Sequence, residues 1–162
     1  MDRAKAEFLI NNLATFNGVD PELAVAIAET ESYFDELACR FEVNWKYLVN
    51  VESFARNSRI SQDSERILQM CSWGMMQVMG SVARELGHRV NLLELTKPEV
   101  GVRFGCLKLK DLMRRYSKLD DVIASYNAGS PRLRDDGKYV NQIYVDKVRG
   151  IYASRRQQMV KP

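Results

Sequence analysis

Asp20-Pro21-Glu22-Leu23-Ala24-Val25-Ala26-Ile27-Ala28-Glu29-Thr30-Glu31-Ser32 is the stretch whose reading decides the fold. Asp20 is a side chain that caps a helix by accepting from its first free N–H groups, and proline at the first helical position costs no hydrogen bond. Leu23, Ala24, Ile27 and Ala28 then recur at helical spacing and form a buried stripe. The helix is expected to end near Ser32, which puts Glu31 in its last turn. Glu31 follows Ile27 by four positions and Ala24 by seven, on the apolar stripe, whereas Glu29 points to another face and is expected to be solvated. A carboxyl held against apolar neighbours is harder to ionise, so it keeps a proton to donate near neutral pH. Tyr33 and Phe34 are the expected walls of its pocket.

Working outward, most other segments also show helical periodicity. A first helix is expected over roughly Lys5 to Phe16, with Phe8, Leu9, Leu13 and Phe16 on one side and Gly18 as stop. Residues 39–61 mix aromatic and β-branched residues with turn formers and read as a loop or small hairpin. Ser61 caps a helix running through Gln69-Met70-Cys71, and further helices follow over Ser81 to Leu86 and Pro98 to Tyr116. Asp120 is the expected cap of a helix ending at Gly129, and the last helix runs from about Tyr139 to Arg156. No repeat, low-complexity tract or linker divides the chain. The expectation is one mainly α domain over residues 1–162 with a small insertion at 39–61.

Composition narrows the chemistry. The 162 residues are 46% hydrophobic and 28% charged, ordinary for a globular protein. No apolar run reaches the roughly 20 residues of a membrane span, and the N-terminus lacks the basic-then-apolar layout of a secretory signal. The net charge of +3 suits an anionic polymer such as bacterial cell wall. Basic residues crowd at Arg149, Arg155, Arg156 and Lys161, but no basic run is interleaved with aromatics, so nucleic-acid binding is not expected. Cys39, Cys71 and Cys106 form no CxxC pair and are expected in the core. With His88 as the sole histidine, neither a metal site nor a Ser-His or Cys-His nucleophile can be assembled, and no cofactor is expected. The chemistry must rest on carboxylates.

Two further motifs join Glu31. Gly74-Met75-Met76-Gln77 combines a residue that permits close backbone approach, two residues that fill irregular space, and an amide that matches a sugar N-acetyl group. Ser125-Tyr126-Asn127-Ala128-Gly129 ends a helix at a C-terminal glycine, with Ala124 and Ala128 allowing close helix packing. A Tyr126 hydroxyl near a carboxyl would orient it or stabilise its charge.

Taken in order with Tyr139-Val140, these runs resemble the soluble lytic transglycosylase domain, a family related in fold to goose-type lysozyme, over about residues 20 to 152. The resemblance implies a lysozyme-like α-domain acting on peptidoglycan glycan strands between N-acetylmuramic acid and N-acetylglucosamine; a monomer is expected. It puts the catalytic acid/base on Glu31 and substrate-lining roles on Ser32, Gln77, Met79, Tyr126 and Asn127. Met75 replaces the family's commoner Leu, a volume-conserving change. The segment between Ser32 and Trp73 is longer than in many members, and its Arg40-Phe41-Glu42-x-Asn44-Trp45 run resembles phage and prophage members, which favours a phage-encoded lysis or virion enzyme made in the cytoplasm.

Two alternatives stand beside this. One is a hydrolytic muramidase drawing a second acid from Glu42, Glu52 or Asp35, with Glu42, between Phe41 and Val43, the strongest candidate. The other is a non-catalytic wall-binding or virion structural protein.

Overall fold

The computed structural model describes residues 1–160; Lys161, counted above in the basic cluster, lies outside them. Eight α-helices are described: α1 (Arg3–Asn17), α2 (Pro21–Ser32), α3 (Val51–Ser58), α4 (Gln62–Gln69), α5 (Gly80–Glu85), α6 (Pro98–Arg115), α7 (Leu119–Ala128) and α8 (Gln142–Val160). They surround a small antiparallel sheet, β1 (Cys39–Phe41), β2 (Cys71–Trp73) and β3 (Val78–Met79), in spatial order β1-β2-β3.

Helix α2 is the centre of the domain. The Asp20 carboxylate accepts from the N–H groups of Glu22 and Leu23, and every residue from Leu23 to Ala28 is buried. It packs on α1 and α8, and α1 in turn packs on α6. Helix α8 is pinned to α2 at its far end. Tyr152 donates to Asp20 at 2.7 Å, and Arg155 pairs with Glu22 and Glu7. These ties fix where the first turns of α8 sit over the end of α2.

The face of α1 differs from expectation. Ala6, Ile10 and Ala14 are buried, while Phe8 and Phe16 stand in solvent at 70% and 87% exposure; only Leu9 and Leu13 pack partly against the core. A stripe of small residues lets α1 lie close against both α2 and α6, and two phenylalanines in that seam would force the helices apart.

The 39–61 segment is a loop only in its middle. It opens with β1, whose partner is β2, some thirty residues on (Cys39↔Trp73, Arg40↔Ser72, Phe41↔Cys71), and it closes with α3. Cys39 is exposed, contrary to its expected place in the core; Cys71 and Cys106 are buried. Ser61 caps α4 as expected, accepting from the Ser64 N–H, but Cys71 starts β2 rather than ending the helix. Asp120 lies in the first turn of α7, where it pairs with Arg149, and the cap position is Lys118. Tyr139 precedes α8, its hydroxyl donating to Asp121 at 2.6 Å.

Beside the sheet, Arg84 of α5 and Glu65 of α4 form a fully buried two-pronged ion pair, both contacts at 2.8 Å. Gln69 also donates to Glu65, Arg84 donates to the carbonyls of His88 and Val90, and the Phe54 ring lies 4.2 Å under the guanidinium. This network locks α3, α4, α5 and the 88–90 loop into one wall.

Candidate active site

The turn between β2 and β3 supplies the floor of the site. Gly74 has φ +67, and a Cβ there would meet the Leu95 carbonyl oxygen at 2.6 Å, so only glycine lets the chain reverse against that backbone. Met75 and Met76 then turn inward and are fully buried, Met76 seated against Gly105 of α6. Gln77 follows at φ +45, with its side chain fully used. It donates to the carbonyls of Ala38 and Gly74 and accepts from Ser72 at 2.8 Å.

Glu31 reaches this floor from the last turn of α2. The hydroxyl of Ser32 donates to the Met75 carbonyl at 2.8 Å, tying the helix end to the turn. Ser32 does not line the cavity; it holds two walls together. Tyr33 and Phe34 do not wall the pocket either. Tyr33 takes the left-handed C-cap position and points outward, while Phe34 is buried in the core with Arg3 over its ring. Glu29, expected to be solvated, pairs with Arg3 at 2.8 Å.

The cavity above the turn has a volume of about 260 Å³. Glu31, Gln77, Met79, Tyr126 and Asn127 all line it, together with Glu42, Arg40, Trp45 and Lys108. Five of the six residues singled out by the motifs therefore meet in one cleft, Ser32 being the exception. Burial raises the Glu31 pKa above the ordinary carboxyl value, against the opposing pull of a Tyr144 hydrogen bond and of the charges on Lys108, Arg40 and Lys147.

The tyrosine that touches Glu31 is not the expected one. Tyr126 is buried and donates to the Met76 carbonyl at 2.9 Å, fixing the turn, while Tyr144 of α8 donates to Glu31 Oε1 at 2.7 Å. Burial raises both phenols, so each remains a hydroxyl donor. A donor on one carboxyl oxygen leaves the other to carry the transferable proton. Asn127 sits at the rim, its amide oxygen accepting from Asn141.

Lys108 is a second residue that sequence reasoning passed over. It lies on α6 four residues from buried Phe104 and four from buried Leu112, the same charge-on-an-apolar-stripe signal that marks Glu31. Its ammonium stands 4.0 Å over the Tyr126 ring, and burial lowers its pKa to about 8. Tyr144 carries no comparable local signal, since its role depends on a contact 113 residues away.

Of the three possible second acids, only Glu42 lines the cleft, where it is held by Arg40 at 2.6 Å. Glu52 pairs with Arg56 on the exposed face of α3, and Asp35 accepts from the Leu37 N–H in the loop after α2. Arg149, Arg155 and Arg156 of the C-terminal basic cluster are spent on Asp120, Glu22, Glu7 and Asp20. Among the described residues, no helix is long and apolar enough to cross a membrane and no group of three or more potential metal ligands gathers.

A mainly helical domain with a half-buried glutamate at the end of its central helix, facing a small sheet across a cleft, is the lysozyme-like arrangement. The model of the transglycosylase SLT domain family matches residues 8–146, and the chain belongs to that family, whose members are peptidoglycan-acting proteins of the lytic transglycosylase type. A search of curated proteins finds no match.

Proposed function

We propose that the chain is a peptidoglycan lytic transglycosylase that cuts the β-1,4 bond between N-acetylmuramic acid and N-acetylglucosamine with Glu31 as its only acid/base. The observation that carries this reading is the raised, half-buried Glu31 carboxyl with Tyr144 on one oxygen. Protonated Glu31 donates to the glycosidic oxygen as the bond breaks. The carboxylate left behind takes the proton of the muramic acid C6 hydroxyl, which closes on C1 to give a 1,6-anhydro ring. No water is consumed. A tethered nucleophile of this kind carries a high effective molarity, so one carboxyl suffices where most glycosidases need two.

Gln77 and Tyr126 act in this scheme by holding the turn, and Met79 and Asn127 by lining the cleft. A neighbouring cavity of about 600 Å³ shares Trp45, Val82 and Gly129 with the first, which favours a polymeric glycan over a small substrate. The site of action is the periplasmic or extracellular wall, and the Arg40–Trp45 run favours a phage origin. Glu31→Gln is expected to retain the fold and lose release of label from purified peptidoglycan; near-normal release would refute the assignment.

Glu42 supports a second reading, hydrolysis, because it lines the same cleft. Its bond to Arg40 favours an anchored ion pair over a base poised for water.

A further inference from the structure

We propose that Lys108 is the counter-charge against which Glu31 ionises, a positioning residue that acts through the Glu31 carboxyl and not on the sugar. The inference rests on Glu31 being the acid/base. Lys108 lines the cleft beside Glu31. Among the described residues no carboxylate lies within salt-bridge distance of its ammonium and no acceptor is hydrogen-bonded to Nζ, unlike Arg40, which Glu42 neutralises. The face of Tyr126, 4.0 Å away, holds the ammonium in place without cancelling its charge. A cation kept in a half-buried cleft without a partner costs desolvation energy, and a carboxylate that appears only during turnover is the group that offsets it.

The surrounding charges leave Lys108 in this role. Around Glu31 stand Tyr144 and Lys147 of α8, Tyr126 of α7, Lys108 of α6, and Arg40 and Glu42 at β1. Lys108 also borders another cavity, together with Glu85, Asp111 and Arg115, the last two paired with each other. Lys108 is the largest of the charge effects on Glu31, ahead of Arg40 and Lys147. It favours the ionised carboxyl, so it holds the Glu31 pKa below the value that burial alone would set. Lys108 keeps its own proton throughout the reaction.

The sign is testable. Activity requires protonated Glu31 at the start, so kcat/KM falls as pH rises through the Glu31 pKa. Lys108→Met and Lys108→Gln should move that alkaline limb upward by about one pH unit, and lower kcat at the optimum about tenfold because the nascent carboxylate loses its partner. Lys108→Arg should restore the wild-type limb. Titration of the Glu31 carboxyl by carbon NMR in wild type and Lys108→Met reads the same shift without turnover. An inactive Glu31→Gln with an unmoved limb and an unmoved carboxyl titration in both neutral variants overturns the role of Lys108 alone. An active Glu31→Gln overturns the acid assignment, and this inference with it.

Discussion

Tyr144 and Glu31, 113 residues apart along the chain, meet in a 2.7 Å hydrogen bond from the phenol to Oε1. The bond favours the ionised carboxyl while burial disfavours it, so the acid is held between two opposing forces. Neither force is local. The phenol is delivered by α8, which Tyr152 and Arg155 fasten to the start of α2, so both ends of α2 depend on one partner helix.

Tyr144→Phe tests that geometry. A hydrogen bond to a charged group is worth about 1.5–3 kcal/mol, so kcat should fall about ten- to a hundredfold with KM little changed. Steady-state kinetics on purified glycan strands measures it. A variant with wild-type kcat would show that the phenol plays no part.

Glu31 also has a signature in stability. Its folded pKa lies above the ordinary 4.5, so between 4.5 and the raised value the folded state binds the proton more tightly than the unfolded one. Stability from this group is therefore fully present below pH 4.5 and is lost as pH rises through the folded pKa. Glu31→Gln should raise Tm at pH 7, by about 2–4 °C for each kcal/mol relieved, and leave it unchanged near pH 4. Calorimetry at the two pH values checks this; equal Tm at pH 7 would mean the carboxyl is not held under strain.

The Arg84–Glu65 pair predicts an asymmetry between single and double variants. Glu65→Gln or Arg84→Met alone leaves one charge buried without its partner and should cost about 3–5 kcal/mol. Replacing both with apolar side chains of matching volume should recover most of that loss. Denaturant unfolding of the three variants decides it, with additive losses contradicting the pairing.

What the sequence disclosed and what it hid follow one physical line. Helix α2 was legible because its cap, its first-turn proline and its apolar spacing are local, and Glu31 was legible because it sits on that stripe. The meeting of Glu31, Gln77, Met79 and Tyr126 followed from motifs whose spacing matches a family. Contacts set by distant segments stayed hidden. The β1 strand pairs beyond two intervening helices, and α3 forms inside a stretch with mixed propensity. The inward face of α1 differs from its most hydrophobic side because hydrophobicity alone does not settle burial where two helices approach closely: Ala6, Ile10 and Ala14 fit that seam and Phe8 and Phe16 do not. Ser32, Gln77 and Tyr126 were expected at the sugar, yet their polar groups bind Met75, Ala38, Gly74, Ser72 and Met76; all three build the cleft, and only Gln77 and Tyr126 also line it.

The most direct test of a single-carboxyl mechanism is the mass of the products. Purified peptidoglycan digested with the protein and analysed by mass spectrometry should yield fragments ending in 1,6-anhydromuramic acid, each lighter by one water than its hydrolysed counterpart. Fragments carrying a free reducing end would contradict it and turn attention to Glu42.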